Sequence, residues 1–157
     1  MNVLVLGANG QLARHTTRVF LRDTDAKLTL YLRRASRLRN PDPDRVTIVE
    51  AMHATALERL IFISSMGIYG EVPGERYRSV LYPYRDSAAV IEASDLDFTI
   101  LRPSWFTRDE AIAYQVTQKG EPFEGHEVSL NGVSDLIVNL ALTAGMEIRS
   151  SLGVSRG

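Results

Sequence analysis

The N-terminal stretch Val3-Leu4-Val5-Leu6-Gly7-Ala8-Asn9-Gly10-Gln11-Leu12-Ala13 decides the fold. Val3 to Leu6 is a continuous apolar run stopped by a glycine, the pattern of a short strand buried on both faces. Gly7-Ala8-Asn9-Gly10 is a turn. Behind it Leu12, Thr16, Val19 and Phe20 recur at helical spacing, so a helix is expected to about Arg22. A strand that turns through glycines into a helix aims backbone N–H groups and the positive end of the helix dipole at one place, which suits an anion. Gly7 permits the sharp turn. Gly10 lets the anion approach the backbone, and Ala13 is small enough for the helix to pack close to the strand.

Outward from this unit, the chain alternates. Lys27 to Leu32 reads as a second strand, Ser36 to Arg45 as a loop with Pro41 and Pro43, and Val46 to Val49 as a third strand. Ala51 to Glu58 is a short helical stretch. Leu60 to Ile63 is another buried strand, ending at Ser64-Ser65, with Gly67 to Pro73 as loop. A helix is expected from Tyr84 to Ala93 and a strand from Phe98 to Leu101, closed by Pro103. An irregular region follows to about Glu127, then a helix from Val133 to Leu142 and a last strand near Leu152. Strands alternating with helices imply an α/β fold, a doubly wound parallel sheet. No repeat or domain boundary is visible, so residues 1–157 read as a single domain.

The anion that fits Gly7, Ala8, Asn9, Gly10, Gln11 and Leu12 is a dinucleotide pyrophosphate. Strand two would carry Asp or Glu at its end in a site that prefers NAD(H). Here that position holds Leu32-Arg33-Arg34-Ala35-Ser36-Arg37. A guanidinium there can hold a 2′-phosphate bidentately, so NADP(H) is favoured over NAD(H), with Arg33 first, Arg37 second and Arg34 beside them.

The spacing G-x-x-G-x-x-A resembles the glycine loop of extended and atypical short-chain dehydrogenases/reductases. Phe62-Ile63-Ser64-Ser65-Met66-Gly67-Ile68-Tyr69-Gly70 resembles the S-S-x-x-x-Y-G segment after that family's fifth strand, and Ser65 falls where extended members place their active-site hydroxyl. Leu101-Arg102-Pro103 resembles the L-R-P segment that borders the nicotinamide side. Ser129 to Leu140 and Ser151-Leu152-Gly153-Val154 resemble the closing helix and strand of NmrA-like proteins. The resemblance implies cofactor contacts at Ser64, Arg102 and Pro103 and a Rossmann-type fold. It also implies reduction of a small organic substrate by direct hydride transfer, with the protein mainly positioning the cofactor.

Two departures stand out. Redox members use Tyr-x-x-x-Lys, in which Lys lowers the tyrosine pKa. Tyr84 is the candidate tyrosine, to act with Ser65, but Ala88 stands four residues on. Non-catalytic NADP(H)-binding regulation, or a truncated relative without cofactor binding, therefore remain alternatives to catalysis. The second departure is an internal deletion after Glu50. Val49-Glu50 runs straight into Ala51-Met52-His53, and about 40 residues are missing, a little over one βα unit. The next strand would have to cross about 14 Å sideways and about 15 Å back along the sheet. The connector from Ala51 to Arg59 spans only about 14 Å as a helix. Strain, a rearranged sheet or low stability is the expectation.

Composition excludes several classes. The 157 residues are 45% hydrophobic and 24% charged, with net charge −1, so no global field attracts nucleic acid or anionic membrane. No cysteine is present, which removes disulfides and thiolate chemistry and fits a reducing cytoplasm. His15, His53 and His126 are scattered and predict no metal site. Neither G-x-x-x-x-G-K-S/T nor G-x-S-x-G occurs. Val3 to Leu6 is too short to span a bilayer and lacks the flanks of a signal peptide. Tyr69, Tyr77, Tyr82 and Tyr84 cluster with Arg76, Arg78 and Arg85, read as a loop beside the cofactor and not a base-stacking surface. The expected partners are the dinucleotide and an unidentified small molecule; a homodimer is compatible with the sequence.

Overall fold

The computed structural model describes residues 1–31, 38–49, 59–73 and 79–157. It divides into two compact units, Met1–Ala56 and Leu57–Gly157. Arg33, Arg34, Arg37, the expected helix from Ala51 to Glu58, and Arg76, Tyr77 and Arg78 lie outside the described residues.

In the first unit β1 (Asn2–Leu6), β2 (Lys27–Tyr31) and β3 (Val46–Val49) form a parallel sheet in the order β1-β2-β3. Leu4 stands opposite Thr29, and Leu30 opposite Ile48. Helix α1 (Gln11–Asp23) follows the glycine turn. Its Thr16, Thr17, Val19 and Phe20 are buried, as are Leu28, Leu30 and Val46 of the sheet. Burying one such large apolar side chain stabilises by about 1.5–3 kcal/mol. Arg45 closes the far end of α1: its guanidinium donates to the carbonyls of Leu21 at 2.9 Å, Ala26 at 3.1 Å and Thr24.

In the second unit β4 (Arg59–Ile63), β5 (Asp97–Pro103), β7 (Gln115–Gln118) and β9 (Ser150–Ser155) form a sheet in the order β4-β5-β9-β7. β4, β5 and β9 are parallel; β7 joins β9 antiparallel. Gly153 makes that last pairing feasible, because a Cβ there would collide with Thr117 Oγ1, its partner on β7, and would lie 2.9 Å from the Phe123 ring. β6 (Trp105–Thr107) and β8 (Glu127–Ser129) form a separate parallel pair. Phe98 and Ile100 of β5 pack with Ala88 and Ile91 of α2 (Tyr82–Glu92), Ile68, Leu60 and Phe62. Thr99 and Leu101, on the opposite face of β5, are equally buried. Helix α3 (Leu130–Leu142) starts on Ser129, whose hydroxyl accepts the Gly132 N–H at 2.9 Å, and buries eight of its residues.

The α/β class and the Rossmann-type parallel strands match the sequence reading, and so does a shortened fold. Three expectations are corrected. β1 and β4 were expected buried on both faces. Instead Val3, Leu4, Val5 and all of β4 are half-buried and Leu6 is 50% exposed. The reason is that each strand ends its sheet: among the described residues β1 pairs with β2 alone, and β4 with β5 alone. The region after Pro103, expected irregular, holds β6, β7 and β8.

Candidate functional site

The glycine turn places its residues as anion chemistry requires. Gly7 has φ +65°, a left-handed conformation, with no atom within 4 Å of where a Cβ would stand. Ala8 is buried, and its N–H donates to Tyr31 O at 3.1 Å, tying the turn to the end of β2. Gly10 N–H donates to Gly7 O at 2.8 Å. Asn9, Gly10 and Gln11 are exposed and Leu12 half-buried. Asn9 Oδ1 accepts from Arg14. Gly10 is the N-cap of α1 at φ −65°, ψ 155°; no side chain caps the helix, and no acidic residue lies in its first turn. The chain thus leaves the positive end of α1 uncompensated, the condition under which an anion is stabilised there.

In the second unit the ends of β4 and β5 bring four expected residues together. Ser64 N–H donates to Leu101 O at 2.7 Å, and Met66 N–H donates to Pro103 O at 3.2 Å, so Ser64-Ser65 lies alongside Arg102-Pro103. Ser65 is half-buried. Arg102 is 1% exposed and ion-paired with Glu71, itself nearly buried. Its Nε donates to Ser151 Oγ at 3.2 Å and its Nη2 to Ser151 O at 3.2 Å. Glu71 also accepts the N–H groups of Gly67 at 3.1 Å and Tyr69 at 2.9 Å. Arg102 and Glu71 therefore clamp the Ser64–Tyr69 turn from inside. Among the described residues, the buried side-chain atoms without a hydrogen-bond partner are Thr17 Oγ1, Ser64 Oγ and Ser104 Oγ.

Tyr84 is on the first turn of α2, 42% exposed, and no hydrogen bond joins it to Ser65 among the described residues. Ala88, where the family's Lys would stand, is 0% exposed and packed against Phe98 and Ile100. A different tyrosine has a lysine beside it. Lys119 Nζ is 4.3 Å from the centre of the Tyr69 ring, and both groups bond Glu92 Oε1 at 2.7 Å. Burial pushes the Tyr69 hydroxyl up to about 12, opposite to what a proton-abstracting phenolate needs. Tyr69, Gly70, Glu71, Arg102, Gly120, Glu121 and Pro122 line a cavity of about 340 Å³. Glu71 was not foreseen; an acid directly after the Tyr69-Gly70 pair was the available signal.

Comparison with known proteins gives these features a frame. Residues 44–144 match the family model described as NAD(P)H-binding. The chain belongs to the NAD(P)H-binding family. A short-chain dehydrogenase/reductase of Veillonella parvula is 26% identical with a TM-score of 0.88, over 99% of this chain and 94% of that one. A wide-type enzyme of the same group from that organism, in complex with NADP, is 25% identical with a TM-score of 0.85, over 99% and 94%. A Rossmann-fold NAD(P)-binding family protein from Shigella flexneri is 29% identical with a TM-score of 0.81, over 99% and 93%. No curated protein matches the chain. The atypical short-chain group fits both the family and these neighbours. The family match begins after the glycine turn, so the turn supports cofactor binding independently of it. The start of α1, uncapped behind Gly7 and Gly10, fits the pyrophosphate of a dinucleotide. Among the described residues no helix is long and apolar enough to cross a membrane, and no group of three or more His, Cys, Asp or Glu could hold a metal.

Proposed function

We propose that this protein binds NADP(H) and acts as an oxidoreductase on a small organic substrate, as a single cofactor-binding domain in the cytoplasm. The observation that carries the reading is the uncapped start of α1 behind Gly7 and Gly10. The turn Gly7, Ala8, Asn9, Gly10, Gln11 and Leu12 holds the pyrophosphate at the uncapped helix start, through backbone N–H groups other than those of Ala8 and Gly10, which the turn itself uses. Arg33, with Arg34 and Arg37, holds the 2′-phosphate and sets the preference for NADP(H) over NAD(H). Ser64 and Pro103 border the nicotinamide, and Arg102 acts there through Glu71 by shaping the Ser64–Tyr69 turn. When bound, the cofactor supplies hydride chemistry. Ser65 and Tyr84 contact the substrate.

The buried Ala88 favours a second reading. With Ala88 buried one turn beyond Tyr84, the Tyr-x-x-x-Lys pair of redox members is missing, and a regulatory NADP(H)-binding protein without catalysis is the alternative. Calorimetric titration of the purified chain with NADPH and NADH, for wild type and Arg33→Ala, tests the binding. Tighter NADPH than NADH binding, lost in Arg33→Ala, is expected. A cooperatively melting protein that binds neither cofactor overturns both readings. NADPH oxidation against quinones, flavins and aldehydes, compared with Ser65→Ala and Tyr84→Phe, then separates catalysis from regulation.

A further inference from the structure

The cavity beside Tyr69 is surrounded by charges that already have partners. Arg102 and Glu71, 1% and 8% exposed at the side chain, both line it and form an ion pair with each other. Lys119, whose ammonium lies over the Tyr69 ring, is paired with Glu92. The volume of about 340 Å³ is within the range of small-molecule sites, roughly 300–1,000 Å³.

Strand register sets this cavity back from the carboxyl ends of the sheet. Arg102 stands opposite Gly153, but its guanidinium turns back to Ser151, which stands opposite Ile100. β7 runs antiparallel to β9, so the turn that leaves Gln118, opposite Leu152, sets out toward the amino end of β9. Glu92, bonded by Tyr69 and Lys119, ends α2, from which the chain goes on to enter β5 at Asp97. The cavity therefore lies over the face of β5 and β9, toward their amino ends.

The ion pair fixes the charge of a ligand there. An anion would meet Glu71 and a cation would meet Arg102, and at such low exposure water does little to screen a like charge. Hydrogen bonding is what the pair still offers. A guanidinium has five N–H donors, and among the described residues those of Arg102 make three bonds, to Glu71, Ser151 Oγ and Ser151 O. A carboxylate accepts about four hydrogen bonds; Glu71 accepts from Arg102 and from the N–H groups of Gly67 and Tyr69. Glu121, on the same cavity, accepts the Gln118 N–H with one oxygen at 2.7 Å. Gly70 and Gly120 line the walls without side chains. A ligand that accepts from the guanidinium, donates to both carboxylates and has no charge of its own carries adjacent hydroxyls, each of which donates one hydrogen bond and accepts two.

We propose that this cavity binds a neutral sugar or similar polyol, adjacent hydroxyls of which bridge Arg102 and Glu71 while another donates to Glu121. The site uses residues of the second unit alone and does not depend on the NADP(H) reading.

The test uses three molecules that share one ring: neutral D-glucose, D-glucosamine as an ammonium at slightly acidic pH, and D-glucuronate as a carboxylate. Each is titrated into the isotope-labelled full chain while backbone amide shifts are followed by NMR. D-Glucose is expected to give saturable shifts at Gly70, Glu71, Gly120 and Glu121, and the two charged sugars to bind at least about tenfold more weakly. Glu121→Ala, at an exposed position, is expected to weaken D-glucose about threefold to tenfold and to move the melting temperature by no more than about 2 °C. No saturable binding of D-glucose, or shifts confined to other amides, overturns the proposal. Charged sugars that bind as tightly as D-glucose, or a Glu121→Ala variant with wild-type affinity, overturn the hydrogen-bonding scheme on which it stands. Displacement of D-glucose by NADPH also overturns it, and assigns the hydroxyls to the ribose of a dinucleotide.

Discussion

Removing the Glu71 carboxylate tests whether the ends of β4 and β5 are held as described. Arg102 and Glu71 are 1% and 8% exposed at the side chain, so water does not screen the pair. In Glu71→Ala the hydrogen bonds left to the guanidinium among the described residues are those to Ser151 Oγ and Ser151 O, each at 3.2 Å, and the N–H groups of Gly67 and Tyr69 lose their acceptor. Leaving one charge of a buried pair without its partner costs about 3–5 kcal/mol. For a chain of this length each kcal/mol shifts the melting temperature by about 2–4 °C, giving a fall of roughly 6–20 °C. Urea denaturation followed by circular dichroism should show a lower midpoint with an unchanged slope. Glu71→Ala combined with Arg102→Met should recover much of the loss, because no buried charge is left alone. A single variant that melts within about 2 °C of wild type, or a double variant as unstable as the two singles added, would refute the reasoning.

Other perturbations have separate readouts. Gly7→Ala meets open space but must hold φ +65°, so it should destabilise by about 1–2 kcal/mol in denaturant melts. Gly10→Val should weaken NADPH binding at least tenfold in calorimetry with a smaller change in melting temperature, since its Cβ stands 3.3 Å from Gly7 O, where phosphate approaches. Tyr69 is raised above the ordinary tyrosine value of about 10 by burial, to about 12. Its contribution to stability is therefore complete below pH 10 and lost as pH rises from 10 to 12; melts across that window should flatten in Tyr69→Phe. Arg45→Met should destabilise by about 2–3 kcal/mol, because three carbonyls lose a charged donor; an unchanged denaturation midpoint would show that water replaces it.

The first 31 residues were legible because local signals there agree. An apolar run, two glycines, a helical period and a second apolar run each name one element, and β1, α1 and β2 fall where those signals put them. β3 was equally plain between Arg45 and Glu50. Beyond Pro103 the elements are set by partners. Gln115–Gln118 becomes a strand because β9 lies beside it, and Trp105–Thr107 because Glu127–Ser129 does; runs of three or four residues have too little pattern of their own. The start of α3 at Leu130 was readable, since Ser129 has the hydroxyl of an N-cap, but the apolar period drew the boundary to Val133. At the site, motif position placed Ser64, Ser65, Arg102 and Pro103 together. Motif position did not show that Arg102 is occupied, because its partner Glu71 is 31 residues away and no periodicity links the two. Among the described residues β1 and β4 each pair with one strand only, and the half-exposure that follows is something residue composition within a strand cannot express.

Among the described residues β1 and β4 each leave one rim unpaired, which bears on the protein's behaviour in a crowded solution. A strand edge with free amides and carbonyls is a template on which another chain can build. Sheet proteins usually guard such edges with charge. Here β1 reads Asn-Val-Leu-Val-Leu and has none. The single charge on β4, Arg59, is turned onto Asp97 O at 2.9 Å, Thr99 Oγ1 at 2.7 Å and Met146 O at 3.1 Å. Neither rim therefore carries a free charge to repel a second molecule. Colloidal lifetime should shorten steeply with concentration, and a newly made chain should depend on dilution or on a chaperone until both rims are covered.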